Sequence, residues 1–246
     1  MYNFCFVTCL YAESLEQADS LFKFKKIPNI DYYMFTNLSN IEHITSWKPI
    51  YLENDFIEEK NNIVKSRYGK FMAWKYFEKH SLKYSYIIYC DNVYTPIADK
   101  NKFNQYIEKL INGKQGIFQI KHKCNLTEEL QNIHKLKKAT PEACLLAENY
   151  LIEKNMDMSK QIVGNTMFIY DTNNTKICEA FSFFWNLYVN EYHFLLCRDQ
   201  PLWAYVLFKL SISPTFDSND KGFPLSPFLK LFVRSKNVGF NNHTYV

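Results

Sequence analysis

The sequence predicts an α/β protein: a mostly parallel, Rossmann-type central sheet flanked by helices, in one domain spanning residues 1–246. Two observations carry that expectation. Short, nearly continuous apolar runs, such as FCFVTCL and YSYIIYC, suit strands buried on both faces. Segments with helical spacing of apolar residues alternate with those runs, as βα units require. A single domain follows from the length, because no repeat, low-complexity linker or shift of composition marks a boundary.

Residues 3–10 give the first central strand, and a polar, helix-compatible stretch follows at 13–24. Residues 31–36 repeat the apolar pattern and 47–52 repeat it more weakly, giving strands two and three. Over 62–80 the spacing turns helical, with Ile63, Tyr68, Phe71, Met72 and Phe77 alternating with Lys, Arg and Glu. Residues 84–89 are dense in aromatic and β-branched side chains. They run straight into Cys90, Asp91 and Asn92, and Pro96 then stops regular structure. Beyond it the pattern predicts a helix at 102–111, a strand at 116–122, and one or two helices over 126–153 with Pro141 as a break or first-turn residue. A strand at 162–170, a long amphipathic helix over 174–192, a shorter helix over 199–210, a strand near 213–216 and a loop-rich tail complete the chain.

A hydrophobic fraction of 47% against 22% charge excludes a disordered chain, which lacks the apolar side chains needed to offset ordering entropy. The net charge is only +4, and lysines alternate with acids rather than forming blocks, so a nucleic-acid partner is not expected. The seven cysteines form no CxxC pair and show no short-range metal spacing, which predicts reduced, buried thiols. The start MYNFCFVTCLYAE lacks the basic opening of a signal peptide. No window reaches the roughly 18 apolar residues of a membrane span, and the expected location is the cytoplasm.

Ligands of doubly wound sheets bind beyond the carboxyl ends of the strands. Residues just after Leu10, Thr36, Tyr89 and Ile120 are therefore site candidates before any motif is considered. The strongest feature is YSYIIYCDNVYTP, in which an apolar strand delivers Asp91 to the sheet edge. A carboxylate there suits a divalent cation that offsets charge growing on a leaving phosphate; Asp and Asn also simply open turns. Arg67, Lys70 and Trp74 fall on one face of the 62–80 helix, a face suited either to a phosphate or to solvent. In CRDQPLW, Asp199 precedes a helix with Pro201 in its first turn. It is suited to cap that helix or, if it faces a cleft, to take the proton of an attacking hydroxyl. His122 follows a strand at the rim of the site, and His243 in the terminal NNHTYV offers an imidazole to a metal if the tail folds back.

In order along residues 4–203, the segments FCFVTCLY, YYMFTN, SRYGK, YSYIIYCDNVYTP, KHKCNLTEEL, GNTMFIY and CRDQPLW resemble a family of glycosyltransferases with the GT-A fold. That family includes plant cell-wall and pollen-tube proteins and sugar transferases of large algal viruses. The resemblance implies a GT-A-like catalytic domain that moves a hexosyl or deoxyhexosyl group from a nucleotide-sugar donor, with a UDP-sugar favoured, to a glycan, glycoprotein or other hydroxyl acceptor. It implies a nucleotide near Thr8, Tyr11 and Thr36, a diphosphate near Arg67 and Lys70, and Asp91 and Asn92 at the donor. It also implies Mn²⁺ or Mg²⁺ held by Asp91 and His243. Asp199 matches the catalytic base of many inverting members, His122 is a second catalytic candidate, and Glu129 and Asn165 fall near the sugar or acceptor.

The family's usual metal motif is Asp-x-Asp, whereas here Asn92 and Val93 follow Asp91 and the second carboxylate is missing. Either Asp91 shares a cation with the diphosphate, water and His243, or Arg67 and Lys70 do part of the metal's work. The missing acid also admits a non-catalytic carbohydrate-binding or assembly subunit. A nucleotidyltransferase is the third alternative, disfavoured because no glycine-rich basic loop follows the first strand.

Overall fold

A computed structural model describes residues 2–18, 21–52 and 61–235. Six strands form the central sheet: β1 (Phe4–Leu10), β2 (Asp31–Thr36), β3 (Lys48–Ile50), β4 (Tyr86–Cys90), β6 (Ile117–Asn125) and β7 (Gln161–Asp171). Their order is β3-β2-β1-β4-β7-β6. The pairs β1–β2, β2–β3 and β1–β4 are parallel, and β7 runs antiparallel to both its neighbours. The protein is thus α/β with a mostly parallel sheet, as its apolar runs predict. All seven residues of β1 are buried, because both faces of the sheet are covered.

Side chains alternate along β1 with the strand period of two, so Cys5, Val7 and Cys9 enter one core and Phe4, Phe6 and Leu10 the other. The first core is covered by α1 (Asn62–Phe71), α2 (Ala73–Lys79), α4 (Leu126–Lys135), α5 (Pro141–Glu153), α6 (Thr175–Asn190) and α7 (Asp199–Lys209). The second is covered by α3 (Lys100–Gly113) with the chain around Ile27, Trp47 and Phe228. Each of α1, α3, α4, α5 and α6 begins at an Asn, Asp or Thr whose side chain accepts a backbone N–H of the first turn.

Two features aim α1 at the carboxyl edge of the sheet. A Cβ added to Gly69 would lie 2.6 Å from Cys9 Sγ and 2.7 Å from Phe35 Cβ, so only glycine lets the helix sit this close to β1 and β2. The expected single helix over 62–80 is also broken at Met72, whose φ of −113° and ψ of 11° end α1 before α2 starts.

No helix forms among the described residues of 13–24. Ser46 occupies the backbone of Phe24 instead: the Phe24 N–H donates to Ser46 Oγ at 2.8 Å, and that hydroxyl donates to the Phe24 carbonyl at 2.7 Å. The Phe24 ring packs on Tyr32 and Trp47. The strand expected near 213–216 reduces to one bridge between Phe118 and Thr215. Among the described residues of the tail, Phe228 and Phe232 enter the core and β8 (Phe232–Arg234) pairs with β5 (Tyr94–Pro96) just beyond β4. All seven cysteines are free and six are buried, and no helix among the described residues is long and apolar enough to cross a membrane.

Candidate functional site

The chain builds outward from β1 through β2 to β3 and then places β4 on the opposite side of β1. The carboxyl ends of β1 and β4 therefore flank the point where the winding reverses, which is where open α/β sheets bind ligands. A cleft of about 360 Å³ opens there, lined by Leu10 at the end of β1, Tyr11 and Glu13 just after it, Ser66 and Arg67 on α1, and Asn92 after β4. Its size is that of a small-molecule site.

Four charged side chains lie beside and beneath this cleft. Asp199, the first residue of α7, meets Arg67 Nε through Oδ1 at 3.0 Å and Lys70 Nζ through Oδ2 at 3.1 Å. The Arg67 contact is an ion pair whose N–H direction misses hydrogen-bond geometry, while Arg67 Nη1 donates to Ser66 Oγ at 2.9 Å. Lys70 Nζ also lies 3.7 Å from Asp91 Oδ1, an oxygen that accepts the Tyr89 hydroxyl at 2.9 Å. The Asp199 and Lys70 side chains are 7% and 5% exposed, against 37% for Asp91. Asp91 is therefore the more accessible carboxylate of the pair, next in sequence to Asn92 on the cleft wall but not itself among the lining residues.

A directed hydrogen-bond relay fixes Asp199 from below. Trp203 Nε1 donates to Gln119 Oε1, Gln119 Nε2 to Asn165 Oδ1, and Asn165 Nδ2 to Asp199 Oδ2, each at 3.1 Å. The indole can only donate, so it sets the orientation of both amides and leaves a carboxylate as the terminal acceptor. Burial pushes the Asp199 carboxyl up, but Lys70, Arg67 and Arg198 outweigh it and hold the group well below the usual carboxylate range. Burial likewise works against the Arg67 charge, and Asp199 overcomes it.

The structure brings Tyr11, Arg67 and Asn92 to the wall of the cleft. The Tyr11 hydroxyl has no hydrogen-bond partner among the described residues. Lys70, Asp199 and Asn165 are buried behind the wall. Thr8 and Thr36 are buried within β1 and β2, with Thr36 Oγ1 accepting the Leu38 N–H at 3.1 Å, and neither lines the cleft. Asp199 is not the cap of α7: Arg198 holds that position without a side-chain cap bond. His122 and Glu129 stand apart from the cleft with Cys124, at the junction of β6 and α4. His243 lies outside the described residues. Gln119 and Trp203 complete the relay without having been singled out; the available signal was a lone amide inside the apolar strand IFQIK.

A cation such as Mn²⁺ or Mg²⁺ takes six or so oxygen ligands. At the end of β4 the described residues supply one partly exposed carboxylate, Asp91, with the Lys70 ammonium already 3.7 Å from it. Asp91 also joins no cluster of three or more metal-ligating groups among the described residues. Of the two ligands expected for such a cation, Asp91 is the one among the described residues, and it faces the Lys70 ammonium; His243 lies outside them.

No family model and no curated protein sequence matches the chain. Among solved structures, the apo crystal structure of mouse xyloside xylosyltransferase 1 is similar with a TM-score of 0.45 and 8% sequence identity, over 87% of this chain and 84% of that one.

Proposed function

We propose that this chain is a GT-A-like glycosyltransferase that takes a sugar from a nucleotide-sugar donor, with a UDP-sugar favoured, and passes it to the hydroxyl of a glycan or other acceptor. The observation that carries the reading is the cleft at the β1/β4 switch point, with the Arg67 guanidinium on its wall and Asp91 beside it. The segment resemblance to glycosyltransferases supports the same reading. Tyr11 offers a ring for the nucleoside, Arg67 a cation for the diphosphate, and Asp91 and Asn92 polar groups for donor hydroxyls. As the acceptor hydroxyl attacks the anomeric carbon and loses its proton to solvent, the bond from that carbon to the diphosphate oxygen breaks and the electron pair leaves with the diphosphate. Arg67 offsets that growing charge.

Asp199 fits a positioning role better than that of a base, because two cations and an amide already occupy its oxygens. We assign it the task of holding Arg67 and Lys70 at the cleft wall, with Lys70 in turn orienting Asp91. No step is routed through a divalent cation. A second reading, nucleotide-sugar binding without turnover, is favoured by this same enclosure of Asp199.

Nucleoside diphosphate release from UDP- and GDP-sugars, with an oligosaccharide acceptor and with either EDTA or Mn²⁺ present, tests the proposal. Release from one donor, undiminished in EDTA, is the expected result. Donor binding without release would select the second reading, and neither binding nor release from any donor would overturn both.

A further inference from the structure

We propose that His122, Cys124 and Glu129 form a binding site for one borderline-soft divalent cation of the Zn²⁺ class, separate from the switch-point cleft and independent of the function proposed for it. His122 and Cys124 are two residues apart on β6, and Glu129 lies in the first turn of α4. His122 Nδ1 and Cys124 Sγ are 2.8 Å apart, Cys124 Sγ and Glu129 Oε2 are 3.6 Å apart, and one ligand atom from each residue lies within 4.8 Å of the others. Zn²⁺ bonds to sulfur at about 2.3 Å and to nitrogen or oxygen at about 2.0–2.2 Å, which places tetrahedral ligand atoms roughly 3.5 Å apart. The sulfur-to-oxygen separation already has that value. The sulfur-to-nitrogen contact must open by less than an ångström, and the His122 nitrogen and Glu129 oxygen, within 4.8 Å of each other, reach the same spacing through rotation of the partly buried imidazole.

The backbone that presents these groups is fixed from three sides. The capping box between Asn125 and Glu128 sets the start of α4, Gln161 Nε2 donates to the His122 carbonyl at 2.6 Å, and the Lys121 carbonyl accepts the Phe223 N–H at 2.9 Å. The donor set of one sulfur, one nitrogen and one oxygen selects against Mg²⁺ and Mn²⁺, which prefer oxygen shells, and suits Zn²⁺. On binding, the Cys124 thiol loses its proton to solvent. Thiolate and Glu129 carboxylate together then balance the two charges of the ion, with His122 neutral. Lys138, which acts electrostatically on both His122 and Glu129, therefore faces a site of zero net charge. Three protein ligands leave a fourth position for water or another ligand, on the side where His122 is accessible.

Titration of the chelator-treated protein with Co²⁺ reads this site directly, because a thiolate bound to Co²⁺ gives a near-ultraviolet charge-transfer band. The expected result is one equivalent of band-forming Co²⁺, displaced by Zn²⁺, absent in Cys124→Ser and retained in Cys178→Ser. Glu129→Gln is expected to weaken binding at least tenfold. If Cys124→Ser fails to fold, His122→Ala and Glu129→Gln decide instead, and wild-type affinity in both overturns the site. Absence of the band in the wild-type protein, or a band that survives Cys124→Ser, overturns it equally.

Discussion

Asp199→Ala is expected to destabilise the protein by about 3–5 kcal/mol, measured by urea unfolding at neutral pH, the magnitude for removing one partner of a buried ion pair. The substitution strips the counter-charge from Arg67 and leaves Lys70 only its 3.7 Å contact with Asp91, both cations being largely buried. It also removes the acceptor of Asn165 Nδ2 and so unravels the relay that runs back to Trp203. Replacing Lys70 by Met in the same chain is expected to recover part of the loss, since a buried charge left with only the more distant Asp91 as partner disappears with it. The effect carries a pH signature. The folded Asp199 carboxyl is held below the usual carboxylate range by Lys70 and Arg67, against the effect of burial, whereas in the unfolded chain it titrates near about 4. Its stabilisation is therefore fully present above that pH and is lost as the pH falls toward the depressed folded value. Below about pH 4, the stability gap between the wild-type protein and Asp199→Asn should narrow by up to about 1.4 kcal/mol per pH unit. A gap that is constant from pH 7 to pH 3 would show that the carboxylate's charge is not what stabilises the cluster.

Arg67→Ala is expected to weaken nucleotide-sugar binding roughly 10- to 150-fold, corresponding to about 1.5–3 kcal/mol for a hydrogen bond to a charged group. Arg67 is the cation of the charged cluster that lines the cleft, so it is the one a donor diphosphate would meet under the proposed function. Arg67→Lys should restore only part of the affinity, because an ammonium cannot present the two parallel donors of a guanidinium. Lys70 gives the opposite balance: it is sealed behind the wall, and Lys70→Met should cost more in stability than in donor affinity. Titration calorimetry on these variants, with melting curves beside it, separates the two effects. Equal affinity in Arg67→Ala and the wild-type protein would remove Arg67 from the donor site.

The strands were readable because β1 and β2 are buried on both faces, and burial leaves an uninterrupted apolar run in the sequence. The helix break at Met72 was not, since helical spacing continues through it and only the backbone angles stop α1. The stretch at 13–24 has helix-forming composition, but its outcome turns on Ser46, a residue far outside it. Position along the fold located Tyr11, Arg67 and Asn92, which line the cleft, because strand ends and a helix face can be located from pattern alone. Position did not reveal which way a side chain points: Thr8 and Thr36 belong to the right strands and face inward. Pairing was equally invisible, since Asp199 meets Lys70 and Asn165 meets Gln119 only once distant elements pack together. Cys124 escaped notice because its partners lie on either side of a strand-to-helix junction, where the spacing has no periodic signature.

The most direct measurement is calorimetric titration of the wild-type protein with UDP-sugars and GDP-sugars in EDTA, repeated with Mn²⁺. A cleft whose phosphate contact is Arg67 should bind one donor at one equivalent per chain, with the same affinity in both conditions. Binding that appears only when Mn²⁺ is added, or no binding to any donor, would contradict it.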